Sequence, residues 1–422
     1  MTFKATVAIT RQWDAREAGK ELSEAIVKSL PARPTFIILG ATIHYARNGG
    51  LSDLIAGFKE ELAGIPLVGG TIAGFMSKEG CFSRGACALA VYSDQLKVAT
   101  GLGQNVKRDP AGAVLQCMRG MSADNTFKPK LLFDLVSGPI RPQFPGLGSR
   151  FILTSGPLSY LATQLMEVST TTLQKGFGRE EEVLRLLADS NPNSIILGGS
   201  SCDDNKVFSN YQFYGQKVLS NALVSVGIST PLSVRLYSTH GYQSTGIKAK
   251  ITRKSSNGRI VHELDGIPAS ARYLEMTKMP SSMLDERLHR RTWFLPLGFT
   301  DKNGDTCPAA IGGVLRGSIY FSYGVMGDEL ELLVASGRSL QESVAGALNE
   351  IKKEDSLLVM GIFCTSWLET LGAHLYDIHA IISKELVSVP FLFLFTLGEQ
   401  VYFPQTKAKH LNESFNLVAI GP

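Results

Sequence analysis

The architecture of this chain is set by Ile65-Pro66-Leu67-Val68-Gly69-Gly70-Thr71, an apolar run that ends in two glycines and a hydroxyl residue. The same pattern occurs in Ser194-Ile195-Ile196-Leu197-Gly198-Gly199-Ser200-Ser201. A third apolar run, residues 389–395, leads into Thr396-Leu397-Gly398-Glu399. A short apolar run bounded by glycine is typical of a buried strand followed by a bend. The sequence therefore predicts three buried strands with related ends.

Each of these strands belongs to a longer unit of strand, helix and strand. The first helix is the clearest, because Leu51, Leu54, Ile55, Phe58 and Leu62 recur at the spacing of one helical face. The predicted elements are 35–39, 51–62, 65–71 and 86–92 in the first unit, 130–136, 179–187, 194–201 and 222–228 in the middle unit, and 356–363, 368–386, 389–395 and 415–420 in the third. We therefore expect an α/β to α+β fold, in which helices flank mixed β-sheets built from repeated strand–helix–strand units.

The segment 232–264 departs from this pattern. It contains three extended stretches, and the turn Ser256-Asn257-Gly258 between the last two is typical of a hairpin. We therefore place a domain boundary near residue 230, which gives one domain over 1–230 and a second over 231–422. The middle unit also carries an insertion at about residues 139–177.

Composition narrows the classes of partner. The 422 residues include 42 Lys and Arg and 38 Asp and Glu, so the net charge is 42 − 38 = +4. A nucleic-acid-binding protein concentrates its basic residues on one face, and the basic stretches here are short, so we expect no nucleic-acid partner. Only 19% of the residues are charged while 44% are hydrophobic. This balance indicates a homo-oligomer or a long interface.

Targeting signals and cysteine usage indicate the compartment. The N-terminus lacks the charged and apolar regions of a signal peptide. The longest apolar run, residues 389–397, is about half the length of a membrane span. The six cysteines form no CxxC pair, as expected of free thiols in a reducing compartment. We therefore expect a cytoplasmic protein without membrane insertion.

The glycine-rich strand ends are the first candidates for ligand binding. Glycine lets another group approach the backbone closely, and N–H groups exposed at such a bend can hold an anion or a carboxylate. The alternative is a tight bend with nothing bound. The candidate binding residues at these ends are Gly69, Gly70, Thr71, Gly198, Gly199 and Ser200.

Gly398 and Glu399 follow the third apolar strand and form a second candidate. A carboxylate at the C-terminal edge of a strand can reach the cleft in which α/β proteins place their ligands. Glu399 is therefore predicted to orient an amine or a hydroxyl of a ligand. The alternative is a loop glutamate that faces water.

Signatures of catalysis are weak. The chain has no complete dinucleotide fingerprint and no phosphate-binding GxxxxGK[ST] loop, and its serines lack the flanks of a nucleophile elbow. Cys364 together with His374 or His379 leaves a hydrolase of unknown substrate as an alternative. A cysteine at the end of an apolar strand is more often a small buried side chain. We therefore assign no catalytic residue.

Together these segments resemble the FIST family, named for F-box and intracellular signal transduction proteins. The resemblance covers nearly the whole chain. It implies a FIST N domain followed by a FIST C domain, of the stand-alone prokaryotic type. The segments that carry it are 66–74, 196–204, Val261-His262-Glu263-Leu264-Asp265-Gly266-Ile267-Pro268-Ala269, 294–298, 357–364 and 396–399.

The resemblance also implies a function. Members are thought to be sensors that bind small ligands, with amino acids proposed, and that signal through other proteins. Some bacterial members resemble haem-binding nitric oxide sensors that regulate a histidine kinase. Haem is therefore an alternative cofactor, and His240, His374 and His379 are the candidate axial ligands.

The chain departs from the family pattern at one informative place. The family often has a C-x-x-R sequence after the strand cysteine, whereas this chain has Cys364-Thr365-Ser366-Trp367. Cys364 and Trp367 are expected to line an apolar wall of the site, and the ligand is expected to differ from that of other members. We predict a non-catalytic sensor of an amino-acid-like metabolite that signals through a separate partner protein.

Overall fold

The computed structural model describes residues 2–48, 50–122, 127–140, 152–153, 160–161, 164–165, 168, 179–285, 288–301, 304–351 and 355–422. Most of the predicted insertion at 139–177 lies outside these residues. Within them, the strands form three six-stranded sheets and one nine-stranded sheet.

The first unit spans residues 3–93. Its elements are β1 (Phe3–Thr10), α1 (Ala15–Ser29), β2 (Phe36–Thr42), α2 (Leu51–Leu62), β3 (Leu67–Ile72), β4 (Gly74–Ser77), β5 (Gly80–Phe82) and β6 (Ala86–Ser93). Helix α2 has the predicted bounds. Helix α1 begins after Asp14, whose carboxylate accepts a hydrogen bond from the Glu17 N–H as an N-cap.

The middle unit spans residues 97–229. Its elements are β7 (Lys97–Gln104), α3 (Pro110–Met121), β8 (Leu131–Ser137), β9 (Ile152–Leu153), α4 (Glu180–Ser190), β10 (Ile195–Ser201), β11 (Gln212–Tyr214), β12 (Lys217–Leu219) and β13 (Ala222–Ser229). Helix α3 begins with Pro110 after the N-cap Asp109, as their order in the sequence predicts.

The third unit begins with β14 (Ser233–Thr239), and the segment that follows builds the nine-stranded sheet together with β9. The elements of this segment are β15 (Gln243–Lys254), β16 (Ile260–Leu264), β17 (Ile267–Pro268), α5 (Ala269–Thr277), α6 (Leu288–Thr292), β18 (Leu297–Thr300), β19 (Thr306–Ala309), β20 (Ile311–Leu315), β21 (Ser318–Phe321) and β22 (Glu329–Val334). We call the nine-stranded sheet the inserted sheet.

The third unit then resumes and runs to residue 421. Its elements are α7 (Gly337–Ile351), β23 (Leu358–Cys364), α8 (Ser366–Leu371), α9 (Leu375–Glu385), β24 (Phe391–Thr396), β25 (Glu399–Tyr402), β26 (Lys409–Leu411) and β27 (Phe415–Gly421). The single helix predicted over 368–386 is two helices. The chain breaks at Gly372, where φ is +50°, a conformation that glycine adopts at little cost.

The three six-stranded sheets have the same strand order. The orders are β1-β6-β2-β3-β11-β12, β7-β13-β8-β10-β25-β26 and β14-β27-β23-β24-β4-β5. In each sheet the last two strands are a hairpin from another unit, and each unit gives its hairpin to a different neighbour. The helices cover the outer faces, and the inner faces of the three sheets meet in one apolar core. The predicted α/β to α+β class is confirmed.

The three units lock together where β3, β10 and β24 end. The Cys202 N–H donates to the Thr71 carbonyl over 2.9 Å, which joins the middle unit to the first. The Ala73 N–H donates to the Phe395 carbonyl over 2.9 Å, and the Leu397 N–H donates to the Ser200 carbonyl over 3.1 Å. These three bonds close a ring of strands, which we call the strand triangle.

Glycines make this approach possible. A Cβ on Gly70 would lie 2.5 Å from the Ser201 hydroxyl oxygen, and a Cβ on Gly199 would lie 2.6 Å from the Thr396 hydroxyl oxygen. Both distances are shorter than side chains tolerate. In the core around the strand triangle, a side chain of one sheet therefore fills the space that a glycine leaves in the next.

We expect Gly199→Ala to destabilise the protein by about 1–3 kcal/mol, because the added methyl group would overlap the Thr396 side chain. The measurement is chemical denaturation followed by circular dichroism. Thr396→Ala removes the two Thr396 atoms closest to that methyl group. It should therefore cost less in the Gly199→Ala background than in the wild type.

Gly346→Ala is the matched control. Gly346 lies in α7, and a Cβ there would meet nothing within 4 Å. The same substitution should therefore stabilise the protein by up to about 1 kcal/mol, because alanine favours the helix. Equal effects of the two substitutions would contradict the close packing at Gly199.

Candidate functional site

The glycine-rich candidates lie inside strands rather than in open bends. Gly69 and Gly70 pair with β2 and β11, while Gly198 and Gly199 pair with β8 and β25. All four are buried. The strand bends therefore fall after these residues, and ligand binding by their N–H groups stays a prediction.

The hydroxyl residues that follow the glycines have different surroundings. The Thr71 hydroxyl accepts a hydrogen bond from the Tyr211 N–H over 3.0 Å, which attaches β3 to the start of β11. The Ser200 hydroxyl is buried and has no hydrogen-bond partner among the described residues. The structure thus ties Thr71 into the fold and leaves the Ser200 hydroxyl unsatisfied.

Glu399 is the first residue of β25 and is fully buried. Its Oε1 accepts a hydrogen bond from the Gly398 N–H over 3.1 Å, and its Oε2 accepts one from the Ser414 hydroxyl over 2.9 Å. The Cys364 thiol is a further hydrogen-bond partner. Burial raises the pKa of Glu399 to about 8. The alternative of a glutamate facing water is therefore wrong.

A second buried carboxyl lies near Glu399. Glu413 is fully buried, and burial raises its pKa well above the ordinary value, with the charge of Glu399 adding to the shift. The Tyr242 side chain approaches it. Two carboxyl groups and a thiol thus share one apolar interior, where the protonated forms are favoured.

Cys364 and Trp367 are core residues of the third unit. Burial is the main cause that raises the pKa of the Cys364 thiol well above its usual value, and the charge of Glu399 adds to it. A thiol held protonated is a poor nucleophile. Trp367 is fully buried, and its ring lies 5.3 Å from that of Phe363 between centroids. Trp367 belongs to α8 and packs into the same core as Cys364.

The three histidines proposed for haem have different surroundings. The side chain of His374 is 72% exposed and pairs with Asp377, while His379 bonds to the Ser77 carbonyl over 2.9 Å. His240 is partly buried, and its Nδ1 accepts a hydrogen bond from the Tyr242 N–H over 3.0 Å. Its ring also hydrogen-bonds the backbone of Thr306. Each of the three rings thus has a protein hydrogen-bond partner, and haem ligation by any one of them stays an alternative prediction.

A cavity of about 390 Å³ opens beside Ser414, the residue that holds Glu399. We call it the Ser414 cavity. It lies between the β25–β26 hairpin, the end of β14 and the start of β19. It is lined by Ser238, Thr239, His240, Asp305, Thr306, Cys307, Pro308, Val401, Phe403, Thr406, Lys409, Leu411 and Ser414.

The charged wall of the Ser414 cavity is formed by Lys409. Its ammonium lies 3.1 Å from an Asp301 carboxylate oxygen and in closer contact with Asp305. The Asp301 side chain is 7% exposed, whereas that of Asp305 is 59% exposed. Burial lowers the pKa of His240, so this ring is neutral at pH 7. Two carboxylates facing one ammonium leave a surplus negative charge at the open side.

Sequence reasoning missed Ser414, Lys409 and Asp305. They lie up to 109 residues apart in the chain, and the hairpin and the inserted sheet bring them together. Ser414 did carry a signal, because it directly precedes the predicted strand 415–420. Lys409 and Asp305 lie in polar stretches that read as ordinary surface.

Within the described residues, none of the helices is long and apolar enough to cross a membrane. Among the same residues, no three potential metal ligands of the His, Cys, Asp or Glu type cluster.

Comparison with known proteins shows the family of the chain. The profile of the FIST N domain matches residues 1–116 and 35–267, which together cover more than half of the sequence. The chain belongs to the FIST family. An uncharacterized protein of Methanocaldococcus jannaschii is 32% identical over 186 residues, which are 42% of this FIST chain and 35% of that protein. The match thus spans about a third of the relative's length.

Among solved structures, a cyanuric acid hydrolase from A. caulinodans aligns over the full length of both chains. The identity is 9% and the TM-score is 0.34. A likeness at this level supports no statement about the activity of the FIST protein.

The raised pKa of Glu399 predicts a pH-dependent stability. The folded state holds the proton up to about pH 8, while the unfolded chain releases it near the ordinary value of 4.5. The contribution of this group therefore falls as pH rises from about 4.5 to about 8. Glu399→Gln should gain about 2.7 kcal/mol of stability relative to the wild type between pH 6 and pH 9, since one pH unit corresponds to about 1.36 kcal/mol.

The measurement is chemical denaturation of both proteins at the two pH values. Glu342→Gln is the control, because Glu342 is exposed and pairs with Arg338 on the surface of α7. Its stability relative to the wild type should stay constant over this range. A constant difference for Glu399→Gln as well would show that the Glu399 carboxyl is ionised in the folded state.

Proposed function

We propose that this FIST protein is a sensor that binds a small amino-acid-like ligand in the Ser414 cavity and signals through a separate protein. One observation carries the proposal. A cavity of about 390 Å³ combines paired opposite charges, hydroxyl groups and apolar side chains. Small-molecule sites usually occupy about 300–1,000 Å³ and pair an apolar lining with a few polar groups.

The charges of the cavity match a zwitterion. The exposed Asp305 carboxylate can accept a ligand ammonium, while Lys409 can hold a ligand carboxylate. The neutral His240 ring adds hydrogen-bonding capacity without charge. The apolar side chains of Val401, Phe403 and Leu411 suit the side chain of the ligand. This complementarity favours an α-amino acid or a close relative.

Ser414 connects the cavity to the interior. It lines the cavity and donates to the buried Glu399 carboxyl. A ligand that engages the Ser414 hydroxyl competes with Glu399 for it, so occupancy would change a hydrogen bond next to the strand triangle. The family resemblance suggests that a partner such as a histidine kinase reads this change. We propose a cytoplasmic location, and homo-oligomerisation stays a prediction.

The geometry does not favour the hydrolase alternative. Cys364 is buried with its thiol pKa raised, His374 is exposed and pairs with Asp377, and His379 hydrogen-bonds the Ser77 carbonyl. Neither histidine is thus held by the Cys364 thiol, as a nucleophilic Cys–His pair would require. No observation favours haem over a small organic ligand, because each of the three candidate histidines is engaged in a hydrogen bond within the protein.

Asp305→Asn tests the proposal. We expect the wild type to bind one or a few of the twenty standard amino acids in isothermal titration calorimetry. The variant should bind the same ligand about tenfold more weakly, because a charge-assisted hydrogen bond becomes a neutral one. The rise in melting temperature that the ligand causes should also be smaller in the variant than in the wild type, since a ligand of the native state raises its apparent stability.

Asp328→Asn is the matched control. Asp328 is 87% exposed at the end of the inserted sheet, and it does not line the cavity. The Asp328→Asn variant should bind the amino acid with the same affinity as the wild type. If no amino acid bound the wild type, or if both variants bound equally well, the assignment of this cavity would be wrong.

A further inference from the structure

A second, larger cavity lies on the other side of Lys409. It has a volume of about 930 Å³ and lies between α4, the loops of the inserted sheet and the β25–β26 hairpin. We call it the α4 cavity. Lys409, Cys307 and Thr406 line both cavities and form the wall between them.

The carboxylates of the α4 cavity are neutralised by the protein itself. Glu181 is held by both oxygens to the Arg259 guanidinium at 2.7 Å, and Asp301 pairs with Lys409 at 3.1 Å. Glu182 and Asp189 pair with arginines, Asp189 with Arg185 of the same cavity at 3.1 Å. The remaining charged residue of the lining, Lys407, is exposed to solvent. The cavity thus holds no buried charge that calls for a charged ligand.

Three aromatic residues line the α4 cavity. The Tyr323 hydroxyl donates to the Pro308 carbonyl over 2.7 Å, and the Tyr402 hydroxyl donates to the Pro192 carbonyl over 2.9 Å. Phe299 lies beside Tyr323, with 6.0 Å between the ring centroids. With both hydroxyls engaged, these buried residues have no free polar group for an occupant, so any contact that they make with it is apolar.

His410 supplies an unused polar group in the lining. Its Nδ1 is buried and has no hydrogen-bond partner among the described residues. The ring is fixed between Gly398 and Tyr323. A Cβ on Gly398 would lie 2.9 Å from it, and the Tyr323 ring meets it edge-on at 5.6 Å between centroids. Burial lowers the pKa of His410 to about 4, so the ring is neutral at pH 7, with one donor and one acceptor nitrogen.

We propose that the α4 cavity binds a neutral, planar heteroaromatic molecule, which packs against Phe299, Tyr323 and Tyr402 and hydrogen-bonds the ring of His410. Paired charges, engaged hydroxyls and a rigid neutral imidazole select this class of ligand. The site is separate from the Ser414 cavity, and it stands whether or not an amino acid binds there.

Indazole and indene test the proposal. Indazole is planar and neutral and carries an N–H and a bare ring nitrogen, and indene has nearly the same shape without nitrogen. We expect indazole to bind the full chain with one site in isothermal titration calorimetry. Indene should bind about 3- to 10-fold more weakly, because it leaves the His410 ring unsatisfied.

Two variants assign the binding to this cavity. Ala408→Trp places a large side chain in the lining at a partly exposed position of the hairpin, and it should abolish binding of both probes. His410→Phe keeps a ring and removes its nitrogens, so indazole should lose its advantage over indene. Circular dichroism verifies that each variant is folded.

Lys407→Ala and Asp328→Asn are the controls. Lys407 carries the exposed charge of the lining, and Asp328 is 87% exposed and lines neither cavity. Both should leave the affinity for indazole unchanged. Failure of indazole to bind the wild type, or unaltered binding to a folded Ala408→Trp variant, would overturn the proposal. Loss of binding in Lys407→Ala would overturn the neutral class of ligand.

Discussion

The fold depends on the strand triangle, the three N–H···O bonds that join the ends of β3, β10 and β24. Each bond links two units, so the inner strands of the three sheets are held at backbone distance from one another. Such an approach leaves no room for side chains at Gly70 and Gly199. Gly70 and Gly199 are therefore a requirement of close packing between sheets, because each lies where its strand faces another sheet.

The hairpin exchange follows from the same arrangement. After each inner strand the chain crosses to a neighbouring sheet, where its next hairpin pairs with the inner strand of that sheet. The hairpin β4–β5 pairs with β24, β11–β12 pairs with β3, and β25–β26 pairs with β10. Unpaired edges expose N–H and C=O groups, so each sheet depends on a strand pair from elsewhere in the chain. The two predicted domains exchange hairpins across residue 230, since β25–β26 completes the middle sheet and β4–β5 completes the third.

The sequence predicted local features well, because they depend on local patterns. The bounds of α2 and the strands that contain the glycine pairs are legible in the chain. The sequence did not predict that Gly70 and Gly199 face a neighbouring sheet, because the contact between Gly199 and Thr396 joins positions almost 200 residues apart. The cavities were not predicted for the same reason. In the sequence, polar residues such as Asp305, Lys409 and His410 cannot be distinguished from surface residues, because only the folded hairpin brings them together.

Glu399 shows how one residue can serve both the fold and the site. Its carboxyl accepts a hydrogen bond from the Gly398 N–H. The Gly398 carbonyl in turn accepts a hydrogen bond from the Ser200 N–H, next to the strand triangle. The other carboxyl oxygen of Glu399 accepts a hydrogen bond from the hydroxyl of Ser414, which lines the Ser414 cavity. Against the larger effect of burial, the Ser414 hydrogen bond lowers the pKa of Glu399, and the same carboxyl accepts the Gly398 N–H, so Ser414 and the backbone at Gly398 share one hydrogen-bond acceptor group. A cavity of modest size is thus placed one side chain away from the contact that orders the whole molecule.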